Sequence, residues 1–139
     1  MALAAAQVID AINALVLPLP ALGGRAYTSR AWPLTTLPAA RTTAEDERME
    51  TGMLDGTNRH QLEVAMRIFA EAVDDLDDVL HGLAAGALAL VFAGTPPHNL
   101  QLTGMQRELA SDGQATLGVI TIRMSASYYV QASAPETIL

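Results

Sequence analysis

The sequence predicts an α+β domain in which two helices cover one face of a mainly antiparallel or mixed sheet of about five strands. Two segments carry apolar residues at helical spacing, whereas the segments between and after them alternate apolar and polar residues as strands do. The length of 139 residues suits one domain with one hydrophobic core. We therefore expect a single domain over residues 1–131, with the elements in the order αβββαββ.

The first predicted element is an amphipathic helix from Leu3 to Leu17. Its apolar residues recur at steps of three and four and are Ala5, Val8, Ile9, Ile12, Leu15 and Val16. Pro18 and Pro20 end the helix, and a short strand is expected from Gly24 to Ser29.

Two strands are then predicted on either side of a charged segment. Pro38 to Asp46 forms a weak strand, because Ala and Arg are poor strand formers. His60 to Phe69 alternates clearly and forms a stronger one. The segment between them, Glu45 to Asn58, carries many charges and the turn signal Asp55-Gly56. It predicts the tip of a long hairpin or an ordered arm.

The second helix is predicted from Val73 to Val91. Its first two turns are rich in aspartate, which the positive end of the helix dipole favours; these residues are Asp74, Asp75, Asp77 and Asp78. Gly82 and Gly86 lie in its interior, where glycine costs stability, so we expect a close crossing there, with the first helix as the natural partner.

The last two strands form a predicted hairpin. Leu100 to Leu109 is the first strand, Ser111-Asp112-Gly113 the turn, and Ala115 to Gln131 a long closing strand with strict alternation. Residues 132–139 look like a loose C-terminal tail.

Composition limits the function classes. The net charge of −7 disfavours a nucleic-acid-binding surface, because phosphate contacts need clustered Lys or Arg. The chain has no Cys and no Lys, so disulfides and thiolate chemistry are excluded. No apolar run reaches the roughly 18 residues that span a bilayer, and the N-terminus lacks the positive region of a signal peptide. We expect a protein made and kept in a cytoplasm, with no membrane partner.

Patterns typical of enzyme sites are absent. The acidic start of the second helix could hold Mg²⁺ or Ca²⁺ through oxygen ligands, but it lacks the spacing of a calcium loop, and the helix dipole accounts for it. His60, His81 and His98 lie on a strand, a helix and a Pro-rich loop, without a sequence-adjacent partner. We therefore expect no catalytic residue, no cofactor and no metal ligand, and hence no enzyme.

Arginines and carboxylates cluster around the charged segment. The arginines are Arg25, Arg30, Arg41, Arg48 and Arg59, and the acidic residues are Glu45, Asp46, Glu47 and Glu50. They could pair within the chain or between neighbouring copies, and spacing alone does not decide between these arrangements.

A series of short features follows the first helix in a distinctive order. The motif Arg-x-Tyr-x-Ser-Arg-x-Trp-Pro-Leu begins at Arg25, and Leu37-Pro38-Ala39 comes soon after it. The charged hairpin, the run Val73-Asp-Asp-Leu-Asp-Asp, and a closing strand that is reached through Asp112-Gly113-Gln114-Ala115 and ends in Tyr128-Tyr129 complete the series. In order and spacing, over roughly Val8 to Val130, the chain resembles the minor tail protein U family of long-tailed bacteriophages, the tail terminators. The Ala-Ala-Arg-Thr-Thr run at residues 39–43 departs from the expected Val or Leu of a central strand.

The resemblance implies a virion protein that forms a ring, usually a hexamer, at the head-proximal end of the tail. Such a ring caps the tail tube, stops its growth and offers a surface for joining to the head. The implied partners are further copies of the chain, the tail-tube protein and a head-completion or neck protein. Viral DNA would pass through the ring without specific binding, which suits an acidic protein. Assembly would take place in the host cytoplasm.

A closed ring needs two different complementary patches on each subunit. We expect the arm from Glu45 to Asn58 to supply one of them. The candidate subunit-interface residues are Arg30, Trp32, Glu45, Asp46, Arg48, Met49, Met53, Leu54 and Arg59. The alternatives are another head–tail connector and, as a more distant one, a small metal-binding α+β enzyme.

Overall fold

A computed structural model describes residues 3–28, 37–50, 56–72, 75–93, 97–112, 115–134 and 137–139. The predicted α+β class and element order are confirmed. The helices and strands in chain order are α1 (Ala4–Val16), β1 (Ala26–Tyr27), β2 (Ala39–Glu50), β3 (Thr57–Ala72), α2 (Leu76–Val91), β4 (Gln101–Asp112) and β5 (Ala115–Gln131). A single turn of 3₁₀ helix lies at Pro20–Leu22, and a turn with positive φ at His98 and Asn99 spans Pro97–Asn99.

The five strands form one mixed sheet in the order β1-β2-β3-β5-β4. The short β1 runs parallel to β2, and the other neighbours are antiparallel. β3 and β5 pair along the whole of β3, from Thr57 opposite Gln131 to Ala72 opposite Thr116. This long central pair is the frame on which the other elements are placed.

The core lies between the two helices and one face of the sheet. α1 packs mainly on β2, and α2 packs on β3 and β5. Even-numbered residues of the two central strands point towards the helices because strand side chains alternate. The buried ones are Leu62, Val64, Met66, Ile68, Ala70, Ile120, Ile122, Met124, Ala126, Tyr128 and Val130. The faces predicted for these two strands are confirmed.

The charged segment is more regular than the sequence predicts. β2 continues to Glu50 and β3 begins at Thr57, so strand pairing extends through most of the predicted arm. Weak strand propensity is overridden here because β3 supplies strand partners for Asp46 to Glu50. At the tip, the described Gly56 has a φ of +78°, which a glycine adopts without steric cost. Residues 51–55 lie outside the described part of the chain.

The start of the sheet is shorter than expected. β1 contains only Ala26 and Tyr27, which pair with Ala40 and Arg41. The Arg25 Nε group donates a hydrogen bond of 2.8 Å to the carbonyl oxygen of Pro38 and ties β1 to the entrance of β2.

The predicted glycine crossing is confirmed only in part, because α1 and α2 do contact each other but Gly82 takes no part in the contact. Gly82 is exposed, and no heavy atom of another segment comes within 4 Å of the position that a Cβ would take there. Gly86 does lie at a close approach, but its neighbour is the side chain of Leu19, which follows α1, at 2.8 Å from that Cβ position. α2 also begins at Leu76 rather than Val73, with Asp75 at its N-cap.

The tail is not loose where the structure describes it. Ile138 forms an antiparallel bridge with Val130, and the Leu139 amide donates to the Tyr129 carbonyl at 2.9 Å. β4 begins opposite Ser125, so the edge of β5 beyond that point has no strand partner from β4. The returning tail covers part of this edge, which removes unpaired backbone groups from solvent.

The two helix glycines provide a matched pair of substitutions. We expect Gly82→Ala to stabilise the protein by about 1 kcal/mol, because alanine is the better helix former and has free space at this site. Gly86→Ala should gain less or lose stability, since its new methyl group meets Leu19. Urea unfolding of both variants measures the difference. Equal gains would contradict the packing of Leu19 on α2.

Candidate subunit interface

A bulge in β2 sets the direction of the charged side chains. Ala44 pairs with Val64 and Asp46 pairs with Glu63, so Glu45 is the extra residue of a β-bulge. The extra residue shifts the alternation by one. Glu47 and Met49 consequently share the helix side of the sheet with the residues opposite them, Leu62 and His60.

Glu47 meets two side chains from the central strands on the helix side. The hydroxyl of Tyr128 donates a hydrogen bond of 2.7 Å to Glu47 Oε1. Nδ1 of His60 lies 2.7 Å from the same oxygen. The ring of His60 stacks on that of Tyr128 with centroids 5.2 Å apart, and His98 contacts Tyr128 edge-on at 6.3 Å. This group, the Glu47 cluster (Glu47, His60, His98 and Tyr128), joins β2, β3 and β5 at the base of the arm.

Burial and the neighbouring Glu47 carboxylate raise the pKa of Tyr128 well above its ordinary value. Burial is the larger cause, since it disfavours the charged phenolate. The hydrogen bond to Glu47 acts in the same direction because it requires the phenol proton. Tyr128 is therefore a neutral donor at every physiological pH.

The face of the sheet away from the helices carries a second set of contacts. Arg67 Nη1 lies 2.7 Å from Glu45 Oε1, with both side chains about a quarter exposed. Arg59 contacts Glu50 Oε1 at 3.4 Å and the Ser127 hydroxyl at 3.3 Å. These contacts link three neighbouring strands, although each exposed ion pair adds little to stability.

Five of the nine candidate interface residues are described, and they lie on β2 and β3. Glu45 and Arg59 have the partners within the chain named above. Asp46 accepts a hydrogen bond of 2.9 Å from the Glu47 amide and lies 3.7 Å from Arg48. Met49 is 54% exposed and is the large apolar side chain on this part of β2. The candidates outside the described residues are Arg30, Trp32, Met53 and Leu54.

The described residues contain no group of three or more His, Cys, Asp or Glu side chains that could hold a metal ion. Within the same part of the chain, neither helix combines the length and apolar character that a membrane crossing requires.

No protein-family model matches the sequence, and no curated protein matches it. The fold does have a counterpart among solved structures. A chain of a structure described as the virion of a native gene transfer agent particle aligns with a TM-score of 0.53, covering 89% of this chain and 98% of that one. The two chains share a fold. Their sequence identity is 12%, so the similarity concerns the arrangement of helices and strands.

Sequence reasoning missed the Glu47 cluster. His60 and Tyr128 are polar residues on the even-numbered, otherwise apolar face of β3 and β5. Their position on this face was a signal in the sequence that could have indicated the cluster. The position of Glu47 was not predictable from alternation alone, because the bulge at Glu45 reverses the face on which it lies.

Tyr128 should make the stability of the protein depend on pH in the alkaline range, where the composition leaves few other titrating side chains. Without Lys and Cys, tyrosines are the side chains that titrate between about pH 9 and 12. The unfolded Tyr128 loses its proton near pH 10, whereas the folded residue keeps it, so the native state holds more protons and the free energy of unfolding falls as pH rises above 10. The stabilisation is fully present below pH 10. We expect a slope of up to about 1.4 kcal/mol per pH unit from this residue, measured by urea unfolding.

Tyr128→Phe should remove this part of the alkaline slope, and Tyr129→Phe serves as the control. Tyr129 is adjacent in sequence but points to the opposite face and is 40% exposed. An unchanged slope in Tyr128→Phe would contradict the role assigned to the buried phenol.

Proposed function

We propose that this protein is a structural component of a phage-like virion that forms a ring on the end of the tail tube, ends tail polymerisation and presents the surface for joining to the head. The observation that carries the proposal is the fold shared with a chain of a gene transfer agent virion, a phage-like particle, over nearly the full length of both chains.

The place in the tail is proposed from the sequence. The order of the Arg25 motif, the charged hairpin, the Asp-rich helix start and the closing Tyr128-Tyr129 strand resembles the tail terminators. The fold similarity supports a role as a virion component. The sequence resemblance is the basis for the proposed place of the protein in the particle. The proposed partners are other copies of the chain in a hexameric ring, the tail-tube protein and a head-completion or neck protein.

The proposed mechanism is steric. Once a ring of this protein covers the last ring of the tube, the surface on which the next tube subunit would add is no longer accessible. Such a role requires no chemistry, and we propose that the protein is not an enzyme. A heterologous interface that closes into a ring needs two different patches on one subunit. The exposed arm, with Met49 among its charges, is the proposed contact with a neighbouring copy.

The acidic composition supports the proposed passage of DNA. With a net charge of −7 on each chain, the ring would repel phosphate groups and hold little DNA non-specifically. The particle would be assembled in the host cytoplasm.

A second candidate is another head–tail connector, such as a neck protein. The similar structure is that of a whole virion, which suits either place. A tail terminator binds isolated tail tubes, whereas a neck protein binds heads that contain the portal.

Electron microscopy of tail tubes assembled with and without the protein tests the proposal. We expect tubes of one length with an additional ring at one end in its presence, and tubes of unregulated length in its absence. Met49→Asp should reduce the fraction of capped ends, because it replaces the exposed apolar side chain of the arm by a charged one.

Leu117→Asp is the matched control, since it introduces the same charge at an exposed apolar residue. Leu117 lies near the start of β5, at the end of this strand away from the arm. Bare tube ends with the wild-type protein, together with binding to portal-containing heads, would contradict the tail-terminator proposal and favour a neck protein.

A further inference from the structure

β4 exposes a row of large apolar side chains on the helix side of the sheet. It is the edge strand, and α2 packs mainly on β3 and β5 rather than on β4. Leu102 and Met105 align with core residues of β5 and Leu109 aligns with Gly118, yet the three side chains are 46%, 46% and 54% exposed. A long apolar edge strand is a template for association unless it is covered.

One cation lies within this row. Arg107 is opposite Ile120 and so shares the helix side. Its Nη1 lies 2.8 Å from His81 Nε2 and 3.4 Å from Asp77 Oδ1, and its side chain remains 43% exposed. Leu102, Met105, Arg107 and Leu109 together are called the β4 row.

The opposite edge of the sheet carries a groove of complementary character. It lies between the first half of α1 and the β1–β2 edge and has a volume of about 470 Å³. Leu3, Ala6, Ile9 and Ala44 are among its apolar lining residues, and Asp10 is its carboxylate. Asp10 is exposed and has no ion-pair partner among the described residues. This surface is called the α1 groove.

We propose that the β4 row of one copy seats in the α1 groove of the next copy, with Arg107 approaching Asp10. Each surface is largely apolar. Arg107 of the β4 row, which lies beside Asp77, and Asp10 of the α1 groove are opposite in charge, so burial of apolar area and charge complementarity act together.

The two surfaces lie at opposite edges of one sheet, so their contact is heterologous and continues from copy to copy until it closes. The α1 groove also reaches Thr43 and Ala44, directly before the arm. The inference rests on the proposed function for its biological setting, and it supplies both complementary patches of a heterologous contact, one of which adjoins the arm.

Cysteine cross-linking tests the contact, because the natural chain has no Cys. A chain carrying Ala6→Cys and Met105→Cys is treated with a short bismaleimide, in solution and on tail tubes. We expect a ladder of cross-linked copies that ends at a closed ring. Each single variant should give no cross-linked species on a denaturing gel. An equimolar mixture of the two single variants should give cross-linked dimers and nothing larger.

Dimers from Met105→Cys alone would overturn the heterologous arrangement, and absence of the ladder both in solution and on tubes would overturn the contact. Capping of tubes by the wild-type protein without any ladder would overturn this interface and leave the proposed function standing. A ladder from a protein that does not cap tubes would leave the interface standing and overturn the function.

A charge exchange tests the pairing. Arg107→Glu should lower the yield of the ladder about tenfold through loss of charge complementarity, and the double variant Arg107→Glu/Asp10→Arg should restore it. Gln106→Glu is the control, since it adds a negative charge to the same strand on the opposite face. Failure of the double variant to restore the yield, in proteins with unchanged melting temperatures, would overturn the pairing.

Discussion

The uninterrupted pairing of β3 with β5 is the constraint on which the rest of the structure depends. It joins residues 57–72 to residues 116–131 in one register, so the whole apolar face of both strands is presented to the helices at once. A shift of one residue would move that face to solvent. α2 packs on this pair, and β2 and β4 pair with its two outer edges. The core, the arm and both edges of the sheet therefore derive their positions from a single set of backbone hydrogen bonds.

Sequence alternation predicted the central strands well because one face of each is buried along its length. The bounds of β5, Ala115–Gln131, agree with the prediction, and so does the buried face of β3. The second strand was underestimated, because its Ala, Arg and Glu residues have low strand propensity and the partner strand decides their conformation. The tail was misjudged for a similar reason, since only the exposed edge of β5 explains why Ile138 pairs there.

The candidate site was less accessible to sequence reasoning than the fold. Tyr128 and Glu47 are 81 positions apart, and their contact needs two strand registers and one bulge to be known together. The apolar row on β4 was hidden in the same way, because an irregularity between Leu102 and Gly104 interrupts the alternation. Charge clusters, by contrast, were visible from the start, although their partners were decided by the fold, as with Glu45 and Arg67.

The bulge at Glu45 marks the boundary between the arm and the part of β2 that lies beneath the helices. Because the bulge takes up one residue, everything on β2 before it keeps its register with β3, while everything after it has its two faces exchanged relative to unbroken alternation. Loss of the bulged residue alone would therefore leave the arm residues on their present faces, because Ala44 and Asp46 already pair with the consecutive residues Val64 and Glu63. The bulge thus lengthens β2 by one residue without altering any pair on β3, either in the arm or beneath the helices.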